Sequence, residues 1–181
     1  MKKWLYFIAL LLPEDISDQI TLFKREMADK YNAKHALKSP PHITLQMPFR
    51  RSEHQEANLI EKLTLFAGEK TGFDIHLSGF GSFAPRVIFV DVIHSQPIYQ
   101  KHDELKSFLQ EKLEFSLSDL TFRFSPHVTI ATRDLKKEIF PQAWNAFRER
   151  DYDARFKSKD LALLKHNGSK WKIHKRFSWK K

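Results

Sequence analysis

Two short segments of this chain bring together residue types that can transfer protons and donate hydrogen bonds. The sequence Pro41-His42-Ile43-Thr44-Leu45 recurs as Pro126-His127-Val128-Thr129-Ile130, with the same order of residue types at the same spacing. A short motif can match by chance, and a lone His-x-Thr on a strand is usually a structural polar pair. Two copies, each preceded by Pro, instead favour a functional site.

The alternation within each copy predicts a β-strand with one reactive face. Side chains two positions apart on a strand point the same way, so His42 and Thr44 share one face while Ile43 and Leu45 enter the core. If two such strands face each other, one neutral imidazole can remove a proton while the other, protonated, supplies one. Thr hydroxyls can donate to oxygens where negative charge develops. This combination suits cleavage of a phosphodiester without a metal ion.

Length and composition restrict the fold and exclude several kinds of chemistry. A chain of 181 residues with 41% hydrophobic and 29% charged residues is typical of a single globular domain, residues 1–181, and not of a disordered chain. The absence of Cys excludes disulfides, thiolate metal sites and thiol nucleophiles. With five Gly and neither GxGxxG nor a P-loop, the sequence offers no glycine-rich nucleotide cradle.

The net charge of +9 is concentrated towards the end of the chain. Residues 151–181 carry ten Lys and Arg against three Asp, whereas residues 1–150 carry 21 basic against 19 acidic residues. This basic segment could be a solvated surface or could bind the phosphates of an anionic partner. The sequence leaves both interpretations open.

The beginning of the chain resembles a secretory signal, because two Lys precede the apolar run 4–12. Pro13-Glu14-Asp15 follows without small residues for cleavage, and the run is too short to span a bilayer. A buried strand produces the same pattern. We therefore expect the first strand of a cytoplasmic protein without a membrane segment.

Apolar spacing predicts alternating strands and helices in both halves of the chain. Because these elements interleave, we expect a compact α+β protein with two similar lobes. Asn167-Gly168 predicts a hairpin between the last two strands. The predicted elements are a strand over 4–12, a helix over 16–27, a strand over 42–47, a helix over 59–67, strands over 73–78 and 86–93, a helix over 97–113, a strand over 122–131, a helix over 135–148, and strands over 155–166 and 171–179.

The two motifs resemble the His-x-Thr-x (HxTx) pair of the LigT-like two-histidine (2H) phosphoesterases, also called the 2'-5' RNA ligase family. The resemblance covers almost the whole sequence. It includes Gly79-Phe80-Gly81-Ser82-Phe83 and Arg86-Val87-Ile88-Phe89, which look like linking strands of the small bacterial branch. It implies a bilobal α+β fold in which each lobe has an antiparallel sheet with helices packed outside. A pseudo-twofold axis would relate the lobes across a central cleft.

The resemblance also implies roles for individual residues. His42, Thr44, His127 and Thr129 would lie in the cleft and act on 2',3'-cyclic phosphates or 2'-5' linkages without a metal or other cofactor. It further implies that His127 is the base and His42 the acid in the hydrolytic direction.

Other residues are weaker candidates for substrate contact. Arg133 follows the second motif and Arg50 follows the first, where each could reach a phosphate or remain a surface residue. Phe83 could stack on a base, although sixteen Phe make a core position reasonable too. Asp91 or His94 could orient a catalytic His or serve the structure alone. The remaining His show no metal-ligand spacing such as HExxH, so we expect no metal site.

Four functions remain compatible with the sequence, and the last of them, a structural or scaffold role, has only the compact fold in its favour. The first is hydrolysis of a 2',3'-cyclic phosphate, on an RNA end or a nucleotide, to a 2'-phosphate by a monomeric enzyme. The second is ligation of 2'-5' linkages in the same cleft. The third is an RNA-binding module without turnover that uses the basic C-terminal hairpin. Intact motifs argue against the third, since binding alone requires no pair of His at these positions.

Overall fold

The computed structural model describes residues 2–181 as eight strands and five helices. A 3₁₀ turn at His35–Lys38 precedes the second strand. The strands are β1 (Lys3–Leu11), β2 (His42–Ser52), β3 (Asp74–Phe83), β4 (Val87–Val92), β5 (His127–Ala131), β6 (Asp153–Lys157), β7 (Asp160–His166) and β8 (Trp171–Ser178). The helices are α1 (Glu14–Tyr31), α2 (Glu53–Gly68), α3 (Gln96–Leu113), the single turn α4 (Leu117–Leu120) and α5 (Phe140–Phe147).

Two four-stranded antiparallel sheets form the frames of two lobes. One sheet has the strand order β2-β1-β7-β8 and the other β5-β4-β3-β6, which confirms the α+β class and the expected pair of lobes. Each His-x-Thr segment lies at the start of an edge strand, β2 in the first sheet and β5 in the second. The two motifs therefore occupy matching places in similar sheets.

Two of the helices that connect strands, α1 and α3, cross from one lobe to the other. Helix α1 follows β1 of the first sheet and packs against β5 of the second, whereas α3 follows β4 of the second sheet and packs against β2 of the first. Phe23 of α1 lies 5.3 Å from Phe80 of β3 and 6.1 Å from Phe147 of α5, measured between ring centroids. Buried side chains of both sheets belong to one continuous apolar core. Burial of apolar surface therefore holds the lobes together.

The C-terminal part differs from the sequence prediction, because the expected strand over 155–166 is two strands in different sheets. Ser158 lies at the crossing, where its amide donates to the Phe73 carbonyl at 2.8 Å and its hydroxyl accepts from the Trp179 indole at 2.9 Å. Gly72 packs so closely on the Ser158 carbonyl that a Cβ has no room there. Strand β7 then pairs with β1, and the predicted hairpin joins it to β8. The lobes therefore do not coincide with the two halves of the sequence.

Two other elements are shorter than the apolar pattern predicts. Strand β5 does not extend back to 122, because Pro126 has no amide to donate and Phe124 instead stacks on His102 of α3 at a ring-centroid distance of 4.0 Å. Helix α5 does not extend back to 135, and Pro141 in its first turn is typical of a helix start.

Candidate active site

Both His-x-Thr segments have the alternating arrangement that the sequence predicts. His42 and Thr44 are half-buried on one face of β2 while Ile43 and Leu45 are buried on the other, and β5 repeats the pattern. Strands β2 and β5 contact each other, and the charge of His127 contributes to a lower pKa at His42. The two imidazoles are therefore close enough for their charges to interact, and the space between the two motif strands is called the cleft.

Equivalent hydrogen bonds hold the two imidazoles. Nδ1 of His42 donates to the Pro40 carbonyl at 2.7 Å, and Nδ1 of His127 donates to the Ser125 carbonyl at 2.6 Å. A carbonyl oxygen can only accept, so each bond places a proton on Nδ1. Nε2 is then the nitrogen of each ring that can exchange a proton with a bound molecule.

An aromatic ring on the neighbouring strand supports each imidazole. Phe7 of β1 lies 4.7 Å from His42, and Phe89 of β4 lies 4.9 Å from His127, measured between ring centroids. Phe89 lies across Gly81 of β3, where a Cβ would overlap the ring. Gly81 therefore allows Phe89 to reach its place beside His127. The sequence analysis missed both Phe7 and this role of Gly81, because neither has a local signature.

The electrostatic surroundings of the two imidazoles differ. Burial, helped by the charges of Lys24 and His127, lowers the pKa of His42 to about 4, although its hydrogen bond to a carbonyl opposes this change. Burial also lowers the pKa of His127, but there the carbonyl bond and the carboxylate of Asp91 oppose the change. Both rings are therefore mainly neutral at pH 7 in the free protein.

Aromatic side chains border the cleft on both sides. Phe83 of β3 is 43% exposed, and its ring stands edge-on to His127 at 5.1 Å. On the other side, Trp171 of β8 lies 4.6 Å from Phe7 and 5.0 Å from His166, again between ring centroids. The structure thus places the predicted candidate Phe83 beside a motif imidazole. It adds Trp171, which the sequence analysis did not single out.

The loop after β5 forms a basic rim with the segment before β2. Arg133 has a left-handed backbone with φ of 51° and lines one surface cavity together with Lys34 and Arg86. The next residue, Asp134, accepts hydrogen bonds from the backbone amides of Lys34 and His35, both at 2.8 Å. These bonds attach the loop that follows the second motif to the segment that precedes the first.

Arg50 and His94 lie apart from this arrangement. Arg50 is exposed near the other end of β2, eight positions after His42, so the rise of a strand separates their Cα atoms by roughly 25 Å. His94 follows β4 and packs against the tilted ring of Tyr99 of α3, with 4.5 Å between the ring centroids. Asp91, by contrast, lies directly opposite His127 in the register of β4 with β5. Of these candidates, only Asp91 adjoins a motif imidazole.

Several other His side chains have acidic partners away from the motifs. His76 contacts Asp153 at 2.6 Å, and His174 contacts Glu56 at 3.1 Å.

Within residues 2–181, no group of three or more His, Asp or Glu side chains is placed to hold a metal ion. Over the same residues, no helix is long and apolar enough to cross a membrane.

Comparison with models of protein families assigns this chain to a known family. A family model described as the 2'-5' RNA ligase superfamily matches residues 12–170. The chain belongs to the 2'-5' RNA ligase superfamily. This match confirms the resemblance inferred from the two HxTx motifs.

Bacterial proteins described as putative phosphoesterases resemble this chain over most of its length. A Geobacillus kaustophilus protein named "Putative phosphoesterase" is 29% identical over 177 residues, which cover 95% of this chain and 94% of that protein. A Bacillus mycoides protein with the same description is 30% identical over 154 residues, which cover 82% of this chain and 83% of that protein. The longer of these alignments therefore spans both lobes.

Solved structures share the fold of this superfamily member. E. coli LigT complexed with 3'-AMP superposes with a TM-score of 0.70 at 18% identity, covering 99% of this chain and 100% of that chain. A Thermus thermophilus protein gives a TM-score of 0.67 at 18% identity, with 96% and 97% covered. These structures confirm the LigT-like bilobal fold.

Proposed function

We propose that this superfamily member is a phosphodiesterase that opens 2',3'-cyclic phosphates to 2'-phosphates by acid–base catalysis with His42 and His127. The observation that carries the proposal is the placement of two imidazoles on facing strands, each with Nδ1 bonded to a carbonyl. Both Nε2 atoms then remain for the two proton transfers that hydrolysis requires.

In the proposed reaction, one imidazole accepts a proton from water while the water oxygen bonds to phosphorus. The bond between phosphorus and the 3'-oxygen breaks, and the other imidazole donates its proton to that oxygen. The products are a 3'-hydroxyl and a 2'-phosphate. Thr44 and Thr129 lie on the same strand faces as the imidazoles and donate to the non-bridging oxygens. In this scheme, side chains alone move both protons.

Three observations support a nucleotide or an RNA end as the substrate. Phe83 and Trp171 border the cleft on opposite sides, and aromatic faces stack on nucleobases. Arg133 on the basic rim supplies a cation for a phosphate. LigT of E. coli, which shares the fold, has been solved with 3'-AMP, ATP and NADP+. We further propose that the protein is a monomer in the cytoplasm. Reducing conditions there break disulfides, and this chain has no Cys that could form one.

Ligation of 2'-5' linkages is the second candidate activity. It is favoured by the description of the superfamily that matches residues 12–170. In ligation a 5'-hydroxyl takes the place of water: one imidazole accepts its proton as its oxygen bonds to phosphorus, and the other donates a proton to the 3'-oxygen as its bond to phosphorus breaks, so the same cleft can serve both reactions. An RNA-binding module without turnover is the remaining alternative, and it predicts binding without products.

The test is a panel of 2',3'-cyclic mononucleotides and oligonucleotides ending in a cyclic phosphate, with products followed by ³¹P NMR. We expect 2'-phosphate from the unmodified protein and none from the double variant His42→Ala/His127→Ala, with Arg50→Ala as a matched surface control. New 2'-5' linkages in the presence of a 5'-hydroxyl oligonucleotide would support ligation. Binding without any product, or a 3'-phosphate product, would contradict the proposed hydrolysis.

A further inference from the structure

A third imidazole lies on the same sheet face as His42 and is joined to it by aromatic rings. His166 ends β7 on the face of Leu164, opposite Trp171 of β8, and the two rings lie 5.0 Å apart between centroids. Trp171 lies 4.6 Å from Phe7, and Phe7 lies 4.7 Å from His42, measured in the same way. His166 is therefore two rings away from a motif imidazole. The proposed proton transfers do not use it.

The turn after β7 determines which nitrogen of His166 carries a proton. The amide of Gly168 donates a hydrogen bond to Nδ1 of His166 at 3.1 Å. An imidazole nitrogen that accepts a hydrogen bond carries no proton, so the neutral ring holds its proton on Nε2. Nε2 is therefore the atom of this half-buried ring that can donate to a ligand.

A fourth imidazole, that of His35, lies among positive charges in the segment before β2. The carboxylate of Asp134 accepts a hydrogen bond from the His35 amide at 2.8 Å, which holds His35 beside Arg133. Burial and three nearby positive charges lower the pKa of the His35 ring, and the charge of Asp134 opposes this change. The three positive charges are those of Arg133, Lys38 and His166. His35 is therefore mainly neutral at pH 7 in the free protein.

Positive charge exceeds negative charge in this group of residues, which is called the entrance cluster and consists of His35, Lys38, Arg133 and His166. Over residues 2–181, neither Lys38 nor Arg133 forms an ion pair with an acidic side chain. The neighbouring carboxylate of Asp134 already accepts from two backbone amides through Oδ2. Two fixed cations and two imidazoles that can become cations therefore share one carboxylate, and this imbalance favours an anionic ligand.

We propose that the entrance cluster is a second anion site, which binds a phosphate of the substrate other than the cyclic phosphate. The inference rests on the proposed function for the chemical class of the ligand, and it adds a site outside the two motifs. A nucleotide supplies a second phosphate in two forms: the 5'-phosphate of a mononucleotide, or the phosphodiester to the preceding nucleotide of an RNA end. Both forms are oxyanions that accept hydrogen bonds from imidazolium, ammonium and guanidinium groups.

Binding of a phosphate at the entrance cluster should be linked to uptake of a proton. A phosphate beside His35 stabilises the protonated ring, which is the opposite of the effect of the cations Lys38 and Arg133. His35 therefore becomes protonated near pH 7 as the anion binds. Surface lysines bind an anion without proton uptake, because they are already protonated at this pH. Proton uptake thus distinguishes the entrance cluster from the basic surface in general.

The first experiment compares three ligands by isothermal titration calorimetry. They are adenosine 2'-phosphate, adenosine 2',5'-bisphosphate and a diadenosine dinucleotide that ends in a 2'-phosphate. None of them carries a cyclic phosphate, so binding is measured whether or not the protein hydrolyses one. We expect a ligand with a second phosphate to bind at least roughly tenfold more tightly than adenosine 2'-phosphate.

The ligand that gains affinity identifies the source of the second phosphate. A gain for the bisphosphate indicates a small nucleotide, and a gain for the dinucleotide indicates an RNA end. Equal affinity for all three ligands, or no binding of any of them, would refute the second anion site. A retained gain without hydrolysis of any cyclic phosphate would refute the proposed reaction alone.

The second experiment locates the site with variants. His35→Ala/His166→Phe should remove most of the gain and leave the affinity for adenosine 2'-phosphate unchanged, which also shows that the variant is folded. Phe at position 166 preserves a ring beside Trp171 but has no Nε2 donor. His54→Ala/His94→Phe is the matched control, because both of these residues are exposed and outside the cluster.

Proton uptake is measured with the dinucleotide, whose phosphodiester does not titrate near pH 7, in two buffers of different ionisation enthalpy. We expect the uptake to fall in His35→Ala and to persist in the His54→Ala/His94→Phe control. A gain in affinity that survives His35→Ala/His166→Phe, or an uptake that survives His35→Ala, would place the second phosphate elsewhere and overturn the proposal.

Discussion

Oδ2 of Asp134 accepts a hydrogen bond from the backbone amide of His35, 99 positions away in the sequence, at 2.8 Å. The same oxygen accepts from the amide of Lys34 at 2.8 Å. One carboxylate therefore ties the loop after β5 to the turn before β2. Since each motif begins its strand, this link helps to set the spacing between the two imidazoles.

We expect Asp134→Ala to lower the free energy of unfolding by about 1 kcal/mol, because two amides lose a charged acceptor but remain accessible to water. Looser spacing of the motif strands should also lower kcat/KM by roughly tenfold. Urea unfolding and steady-state kinetics measure the two effects. Glu138→Ala is the control, since Glu138 is an exposed acid of the same region. Equal effects of the two variants would show that the link is dispensable.

The motif residues should differ in importance. Replacing His42 or His127 with Ala should reduce hydrolysis of a 2',3'-cyclic phosphate by roughly 10²–10⁴-fold, the usual contribution of a positioned acid or base. Thr44→Ala and Thr129→Ala should cost less, because loss of one donor leaves both proton transfers possible. Rates are compared after circular dichroism has shown that each variant is folded. Folded His variants with unmodified rates would exclude these residues from catalysis.

Gly81 should be required for the position of His127. A Cβ at Gly81 would overlap the ring of Phe89, which in turn supports His127. We expect Gly81→Ala to displace that ring and to lower kcat by roughly tenfold with a smaller change in KM. Gly68→Ala is the control, because a Cβ there meets no atom within 4 Å. Unchanged kcat in Gly81→Ala would mean that Phe89 can move without disturbing the imidazole.

Stability should depend on pH through Lys24. Burial lowers its pKa in the folded protein to about 7, while an unfolded chain keeps this proton up to about pH 10. Between these values the unfolded state binds more protons, so the free energy of unfolding rises with pH, by up to about 1.4 kcal/mol per pH unit from this group. Denaturant unfolding across this window measures the slope. Lys24→Met should flatten it and Lys112→Met should not, and a slope that survives Lys24→Met would contradict the assignment.

Some cations of the basic C-terminal segment form ion pairs with acidic side chains, whereas others remain available to contact a ligand. Lys165 and His174 both contact Glu56 of α2. Lys170 and Lys172 instead line a surface cavity with Trp171, beside the cleft. The cations that can follow a nucleic acid from the cleft are therefore fewer than the sequence count indicates.

Salt dependence should show whether the substrate is an oligonucleotide. Each phosphate contact on a single strand contributes a log–log slope of about −0.7, so Lys170→Glu/Lys172→Glu should reduce the slope by up to about 1.4. The KM of a cyclic mononucleotide should change little in the same variant. Lys106→Glu/Lys112→Glu on α3 is the matched control. Equally shallow salt dependence for both substrates would instead indicate a small natural substrate and a solvated basic surface.

Arg50 and Arg133 show that a residue close to a motif in the sequence need not lie close to the cleft in the structure. Both follow a motif in the sequence, and both were candidates for phosphate contact. The chain after His42 continues as an extended strand, which carries Arg50 away from the cleft. The chain after His127 ends its strand at Ala131 and turns back, which leaves Arg133 on the rim. The distance between two residues thus depends on where a strand ends, and strand ends are weakly encoded.

The sequence by itself determined the two motifs, the strand face on which each imidazole lies, and the α+β class with two lobes. The strand faces follow from alternation along a strand, which is a local property of the backbone, and the class and the two lobes follow from the order in which strands and helices interleave. Only the tertiary structure decided that β7 and β8 complete the first sheet, and that Leu11 adjoins His42 while Asp91 adjoins His127. Such neighbours are set by strand register and by packing of distant segments, which the local order of residues does not specify.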